Sequence, residues 1–181
     1  MFTEDQKRAL VEIARAAVAN VAAGSGGRVT AQAGDFPDAS GAFVTLKRNG
    51  RLRGCIGTLE CRHSLADAVA RVAASAARDD PRFEPLHPSE LEGLDVEVSV
   101  LGPLEAIDPF DPQALEIGRH GLVVEQGPRR GLLLPQVATE WGWDREAFLT
   151  HTCVKAGLAP DAWRHGATVY RFDGEVFGAN P

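Results

Sequence analysis

The sequence contains few of the residues that stabilise small secreted folds or metal-dependent folds. Its 181 residues include three cysteines, Cys55, Cys61 and Cys153, and an odd, small number in a chain of this length does not form a disulfide framework. No apolar run approaches the roughly 20 residues that span a bilayer. The N-terminus has no basic region followed by an apolar stretch, so no signal peptide is expected. We therefore expect a cytoplasmic protein with reduced thiols and no membrane partner.

Positive charge and common catalytic motifs are also scarce. Lysine and arginine total 19 against 25 aspartates and glutamates, a formal net charge of −6, which disfavours a nucleic-acid partner. The sequence has no P-loop, G-x-G-x-x-G or G-x-S-x-G motif, which disfavours nucleotide hydrolysis, dinucleotide redox chemistry and α/β-hydrolase chemistry. Cys55, Cys61 and His63 lie close together in the sequence but lack an identifiable fourth ligand. No metal and no cofactor are predicted.

The composition and helix signals that are present indicate a folded single domain. Hydrophobic residues make up 44% and charged residues 24% of the chain. Thr3-Glu4-Asp5-Gln6 is a capping-box sequence, and it predicts a helix that ends at Gly24. Ser64 should cap a second helix that continues to about Arg78. Between these helices, residues 24–41 predict an extended, mobile surface loop.

The strand signals favour antiparallel pairing. Residues 43–48 and 51–59 have strand patterns, and they are separated by Asn49-Gly50, a strong hairpin signal because both residues tolerate positive φ in a type I′ turn. Residues 95–100 alternate strictly between valine and polar residues, as half-buried antiparallel strands do. These patterns predict an α+β fold with a mostly antiparallel sheet.

The second half of the chain repeats this order of elements. A hairpin near residues 121–135 precedes a helix that is capped by Asp144 and ends near Gly157, and residues 169–177 form a last strand or a small hairpin. The pattern Gly50-x-x-Arg53-Gly54 recurs as Gly127-x-x-Arg130-Gly131. We predict one domain over residues 1–181 with an internal duplication, whose halves are about 1–100 and 101–181.

The segment Arg53-Gly54-Cys55-Ile56-Gly57 is the strongest candidate site. In a bulge-free hairpin Leu46 faces Arg53 and Val44 faces Cys55, so Arg53 and Cys55 share one face roughly 7 Å apart. A guanidinium at that distance could stabilise a thiolate, and Gly54 and Gly57 would allow a ligand or another backbone to approach closely. The alternative is that Cys55 is a small, packed core residue.

Other polar residues could complete a site, and each has a simpler alternative. Asp80 and Arg82 either clamp a ligand or form an internal salt bridge, and Glu97 either lines the site or faces solvent. The cations of the first hairpin either attract a small anionic ligand or form a solvated tip; they are Lys47, Arg48 and Arg51. The three tryptophans are predicted to serve core packing or an interface; they are Trp141, Trp143 and Trp163.

The run Leu52-Arg53-Gly54-Cys55-Ile56-Gly57 resembles the hallmark of the AMMECR-one (AMMECR) domain family. The similarity extends over nearly the whole chain, through residues 43–46, 80–83, 96–101, 131–138, 143–144, 155–158 and 170–172. The resemblance implies an α+β fold with two strand-and-helix repeats around a single, mostly antiparallel, barrel-like sheet. It also implies similarity to protein A of the AmmeMemoRadiSam system, whose other members are a Memo-like protein and a radical S-adenosylmethionine protein. It implies no particular reaction.

Two functions remain open from the sequence. The first is a component of a multi-protein modification or redox system, in which Cys55 is the nucleophile or carrier and Arg53 stabilises an anion and the thiolate. Its ligand-binding residues would be Gly54, Gly57, Asp80, Arg82 and Glu97. The second is a non-enzymatic binding module or adaptor, in which the Arg-Gly-Cys-Ile-Gly segment is structural or an interface. The second is favoured by the scarcity of catalytic bases, since His63 is the one histidine near Cys55 in the sequence.

Overall fold

The structure is a computed structural model that describes residues 2–25, 35–61 and 64–178. The chain divides into two compact units, one formed by Met1–Leu101 with Glu175–Pro181 and the other by Gly102–Gly174. Most of the predicted loop over residues 24–41 lies outside the described residues, and so does His63.

The first unit combines two helices with an antiparallel three-stranded arrangement. Its elements are α1 Glu4–Ala22, β1 Gly41–Arg48, β2 Arg51–Thr58, α2 Leu65–Arg78 and β3 Leu94–Leu101. Strand β1 is central and pairs antiparallel with both β2 and β3. A short 3-10 turn, Pro88–Glu90, precedes β3. These elements agree with the predicted helices and strands of the first half.

Local signals set the ends of these elements as predicted. The Thr3 hydroxyl accepts the Gln6 N–H while the Gln6 side chain accepts the Thr3 N–H, which completes the capping box of α1. The Ser64 hydroxyl accepts the Asp67 N–H at the start of α2. The hairpin turn places Asn49 at φ 51° and Gly50 at φ 73°, the left-handed pair that a type I′ turn requires.

The core of the first unit lies between the helices and one face of the strands. Strand side chains alternate between faces, so Val44 and Leu46 of β1 and Val98 of β3 point together towards the helices and are fully buried. Leu10 of α1 and Val69 of α2 are equally buried against them. The odd-numbered residues of β1 and β3 therefore occupy the opposite face of these strands.

The second unit has its own antiparallel strands and two helices. Its elements are β4 Glu105–Ala106, β5 His120–Gln126, β6 Arg129–Leu133, α3 Pro135–Glu140, α4 Arg145–Lys155 and residues 168–174 of β7 Thr168–Phe177, whose last three residues belong to the first unit. Strand β5 pairs antiparallel with β6 and with β7, and β4 pairs with β7. The two-residue strand β4 has no signal in the sequence that predicted it.

Two predictions for the second half have clear outcomes. The Asp144 carboxylate accepts the Ala147 N–H and caps α4, as predicted. The alternative of a hairpin through Asp173-Gly174 is wrong, because β7 continues through both residues and Asp173 pairs with His120. With helices and antiparallel strands in both units, the predicted α+β class is confirmed.

Candidate functional site

The register of the first hairpin differs from the bulge-free prediction. Arg48 pairs with Arg51 as expected, but a β-bulge then leaves Arg53 as the extra residue, and Thr45 rather than Val44 faces Cys55. The predicted pairing of Leu46 with Arg53 is also wrong, since Leu46 faces Gly54. A bulge inserts one residue into one strand and changes every pairing beyond it. The shared face predicted for Arg53 and Cys55 therefore loses its basis in register.

The bulge places Gly54 on the helix side of the sheet, where a side chain has no room. A Cβ at Gly54 would overlap the carbonyl oxygen of Ala76 in the last turn of α2. On the other face, a Cβ at Gly57 would overlap the ring of Phe43, its partner on β1. Gly54 thus permits the close approach of a helix backbone, and Gly57 that of an aromatic ring, both from within the protein.

Arg53 is bound by a carboxylate of the 3-10 turn. Its Nε and Nη2 donate to the two oxygens of Glu90 at 2.8 and 3.0 Å, and Nη2 also donates to the Glu84 carbonyl at 3.0 Å. These hydrogen bonds from Arg53, with one from the His87 N–H, lower the pKa of Glu90 from 4.5 to about 2. Arg53 therefore ties the hairpin to the turn before β3, and no hydrogen bond joins it to Cys55 among the described residues.

The backbone of Cys55 is bound by two side chains from the loop after α2. Asp80 Oδ2 accepts the Cys55 N–H at 2.9 Å, and Arg82 Nη2 donates to the Cys55 carbonyl at 3.4 Å. Arg82 also forms a two-pronged pair with Asp80, at 3.0 and 2.7 Å. We call Asp80 and Arg82 the edge clamp, because β2 pairs with β1 on one side and these side chains occupy its other side at Cys55.

The edge clamp joins a buried carboxylate to an exposed guanidinium. Asp80 is 3% exposed, so its ionised carboxylate must be neutralised and hydrogen-bonded. The hydrogen bonds from the Arg82 guanidinium, helped by the N–H groups of Cys55 and Arg82, hold the pKa of Asp80 far below its usual range despite burial. The predicted internal salt bridge between Asp80 and Arg82 is therefore present, and it acts on the backbone beside the thiol.

The thiol of Cys55 lies on a polar row that crosses three strands. Thr45 pairs with Cys55 on β2 and with Glu97 on β3, so these three side chains share the face opposite the helices. Thr45 Oγ1 and Cys55 Sγ lie 3.2 Å apart, at hydrogen-bond distance. Lys47 Nζ donates to Glu97 Oε2 at 3.0 Å. Cys55 is partly exposed, as are its neighbours in the row.

The predicted site residues thus lie in one region of the first unit, where each has its own contacts. Arg53, Cys55, Asp80 and Arg82 are joined through the backbone and through Phe83, whose ring lies 5.7 Å from the Arg53 guanidinium and 5.6 Å from that of Arg82. Three of the closest contacts were not predicted, because they join residues far apart in sequence or depend on the bulge. They involve Thr45, Phe83 and Glu90.

The described residues were compared with the requirements of a metal site and of a membrane-spanning helix. Among the described residues, no group of three or more histidine, cysteine, aspartate or glutamate side chains could hold a metal ion. Burial raises the pKa of the Cys61 thiol and that of the Cys153 thiol. None of the described helices combines the length and apolar character that crossing a bilayer requires.

Comparison with known proteins identifies the family. The AMMECR1 family pattern matches residues 11–177. A protein from Methanothermobacter thermautotrophicus is 50% identical over 185 residues, covering 97% of this chain and 95% of that protein. Protein TK0174 from Thermococcus kodakarensis is 51% identical over 146 residues, 76% of this chain and 71% of its own length. The crystal structure of the uncharacterized protein PH0010 from Pyrococcus horikoshii is 40% identical and superposes with a TM-score of 0.84, covering 97% of this chain and 92% of that one.

The matched range of residues 11–177 spans the hairpin, the loop after α2 and β3, and it extends through both units. The resemblance first drawn from the Leu-Arg-Gly-Cys-Ile-Gly run is therefore confirmed at the level of the family. The chain belongs to the AMMECR1 family.

Proposed function

We propose that this protein is a cytoplasmic component of a multi-protein modification system, and that the face around Cys55 is its ligand or partner site. Its partners would be a Memo-like protein and a radical S-adenosylmethionine protein, as the resemblance to protein A of the AmmeMemoRadiSam system implies. The ligand-contacting surface would be the polar row of Cys55, Thr45 and Glu97, with the edge clamp holding its outer strand in place.

One observation carries this proposal: the structural contacts around Cys55 are made by its neighbours and by its own backbone, not by its thiol. Gly54 and Gly57 permit close packing, Arg53 holds Glu90, and the edge clamp binds the Cys55 backbone rather than its side chain. The thiol itself contacts a threonine hydroxyl and is partly exposed. A packing role alone would favour a buried cysteine such as Cys153, which is 0% exposed.

A second candidate function, a non-enzymatic adaptor, is favoured by the chemistry around the thiol. Nucleophilic cysteines are activated by an adjacent base or by a cation that stabilises the thiolate. In the described part of the chain, the hydrogen-bond partner of Cys55 Sγ is the Thr45 hydroxyl, not a histidine. The Arg53 and Arg82 guanidinium groups are engaged by carboxylates. In this reading Cys55 contributes contact area to a protein interface.

Reconstitution with the two expected partners tests the proposal. The Memo-like protein and the radical S-adenosylmethionine protein of the same organism are purified, and binding to this chain is measured by calorimetry and sedimentation velocity. We expect Cys55→Ser to weaken binding by about tenfold, because it replaces the polarizable thiol by a more strongly hydrated hydroxyl at a central contact, where a change commonly costs more than about 1 kcal/mol. The matched control is Arg51→Ala, an exposed residue at the tip of the same hairpin, which should leave the affinity unchanged.

The same measurement separates the two functions. Loss of binding in Glu97→Ala with full binding in Cys55→Ser would support the adaptor, since the face but not the thiol would matter. Full binding in both variants would place the partner site elsewhere, and absence of binding in the unmodified protein would contradict the proposed partnership.

A further inference from the structure

Three aromatic rings form an exposed stack on the second unit. The ring centroids of Trp141 and Trp143 lie 6.1 Å apart with an interplanar angle of 18°, and the Trp143 and His151 rings lie 3.9 Å apart at 5°. Trp141 is 70% exposed, and His151 is also exposed. We call these three residues the aromatic stack. Exposed tryptophan is unusual outside binding surfaces, because its large apolar ring is better placed in a core or an interface.

The backbone holds the aromatic stack in place before any ligand arrives. Trp141 ends α3 and its N–H donates to the Val137 carbonyl, while the Trp143 N–H donates to the Ala138 carbonyl at 2.9 Å. Gly142 between them adopts φ 63°, which glycine allows without strain. Trp143 also packs against the hydrophobic core of the second unit. A ligand would therefore meet a Trp143 ring that is already packed and a Trp141 ring that projects from an ordered backbone, which lowers the entropy lost on binding.

Two carboxylates beside the aromatic stack have no ion-pair partner among the described residues; Arg145, which follows Asp144, donates instead to the Pro109 carbonyl. Glu140 precedes Trp141 and Asp144 follows Trp143, and both residues are exposed. Neither carboxylate forms an ion pair with any residue among 2–25, 35–61 and 64–178. Asp144 accepts the Ala147 N–H but keeps its negative charge. Two carboxylates next to stacked tryptophans attract a positively charged group.

The same unit contains a completed version of this arrangement. The Arg164 guanidinium lies 4.2 Å from the centroid of the Trp163 ring, and its Nη2 donates to Glu146 Oε2 at 2.9 Å. The Arg164 guanidinium thus contacts a tryptophan ring and a carboxylate of the same chain. At Trp141 the ring and a carboxylate are present, and the cation is missing.

We propose that the aromatic stack is a docking surface for a basic segment of a partner protein, whose arginine side chain lies over Trp141 and pairs with Glu140. An arginine suits the site better than a lysine because its planar group stacks on an aromatic face and also binds a carboxylate. The aromatic stack belongs to the second unit and the polar row at Cys55 to the first, and the inference does not depend on the function proposed for that row.

Nuclear magnetic resonance with a defined peptide tests the inference. The probe is an acetylated, amidated Gly-Arg-Gly-Arg-Gly peptide, and its control replaces both arginines with the uncharged isostere citrulline. The three tryptophans give three indole N–H signals. The signals of Trp141 and Trp143 should shift on titration with the arginine peptide, and the Trp163 signal, whose ring Arg164 already covers, should not.

Matched variants make the test specific. Trp141→Ala and Glu140→Gln should each weaken binding of the arginine peptide by about three- to fivefold, as loss of an exposed cation–π contact or its paired charge implies. Phe110→Ala removes another exposed ring of the same unit, 58% exposed, and should leave the affinity unchanged. Equal binding of the citrulline peptide, shifts at Trp163 in place of Trp141, or shifts that appear on concentrating the protein without peptide would each overturn the inference. The last result would show a second copy of the chain as the occupant.

Discussion

Gly54 and Cys55 are neighbours on β2, but the protein leaves no room for a side chain at Gly54, whereas the side chain of Cys55 is partly exposed. The position of Gly54 is filled by the backbone of α2 at Ala76, so nothing larger than hydrogen fits. The side chain of Cys55 lies in the polar row, where its thiol is 3.2 Å from the Thr45 hydroxyl. The first residue is therefore explained by packing, and the second has a side chain that packing does not require.

Gly54→Ala tests the packing explanation. The added Cβ would overlap the Ala76 carbonyl oxygen, and forcing atoms into a well-packed region typically costs about 1–3 kcal/mol. We expect a loss of that size in the free energy of unfolding, measured by urea denaturation. The control is Gly174→Ala, whose Cβ would lie 3.4 Å from the side chain of Pro135, an ordinary contact. Equal stability of Gly54→Ala and the unmodified protein would contradict the packing account.

The Arg53–Glu90 pair should make stability depend on pH in a defined window. Hydrogen bonds from Arg53 and the His87 N–H lower the pKa of Glu90 from 4.5 to about 2. A depressed carboxyl pKa stabilises the folded state above the unfolded pKa, and the stabilisation is lost as pH falls through the folded value. We expect Glu90→Gln to cost about 1–3 kcal/mol above pH 5, and the difference to shrink between about pH 4.5 and 2.

Equilibrium unfolding across that range measures the effect. Glu92→Gln, at an exposed position two residues away, is the control and should change stability by less than about 0.5 kcal/mol. A cost for Glu90→Gln that stays constant down to pH 2 would show that the pair contributes through packing and not through charge.

At the scale of elements, the edge clamp closes a strand that would otherwise expose its backbone. An unpaired strand edge can pair with another chain, and β2 pairs with β1 on one side of its described backbone. Asp80 and Arg82 bind the N–H and the carbonyl of Cys55 on the other side. The clamp therefore fixes the strand position from which the thiol projects.

Asp80→Ala should release this part of β2. Removing a charged hydrogen-bond acceptor costs about 1.5–3 kcal/mol, so amide hydrogen exchange at Cys55 should accelerate about ten- to hundredfold. Asp79→Ala is the control, because its pair with Arg78 is solvent-exposed on both sides and such pairs contribute little. Unchanged exchange at Cys55 in Asp80→Ala would show that the clamp does not hold the edge.

The elements also show what local sequence can and cannot predict. The Asn49-Gly50 turn and the Thr3 and Ser64 caps depend on neighbouring residues, and all three were predicted. The hairpin register was predicted for a bulge-free strand; the observed bulge at Arg53 lies beside Gly54, whose contact with α2 joins residues over twenty positions apart in sequence. The binding of the Cys55 backbone by Asp80 spans 25 residues, so the loop could be named as a candidate but its contact could not.

At the scale of the whole molecule, each unit places a glycine of its hairpin against the C-terminal end of one of its helices. In the first unit Gly54 meets Ala76 of α2, and in the second a Cβ at Gly131 would overlap the backbone of Ala156 at the end of α4. The hairpin turns of both units also place a glycine at positive φ, at Gly50 and Gly127. The repeated Gly-x-x-Arg-Gly pattern therefore corresponds to a similar local packing in each unit, and the internal duplication stays a prediction.

Gly131→Ala extends the packing prediction to the second unit. Because its Cβ would meet backbone atoms that cannot rotate away, we expect a loss of about 1–3 kcal/mol in the free energy of unfolding, similar to that of Gly54→Ala. Thermal unfolding followed by circular dichroism measures it. A neutral substitution would show that the helix end in this unit can move, and the two hairpins would then not share one packing rule.

The central claim is that the Cys55 thiol is open to a ligand or partner while the residues around it hold the fold, and its alkylation tests this most directly. The native protein is treated with iodoacetamide, and the modified cysteines are quantified by mass spectrometry over time. Cys55 is partly exposed and Cys153 is 0% exposed, so Cys55 should react at least about a hundredfold faster, since Cys153 must await an opening of the core. Labelling of Cys55 at the slow rate of Cys153 would contradict the claim.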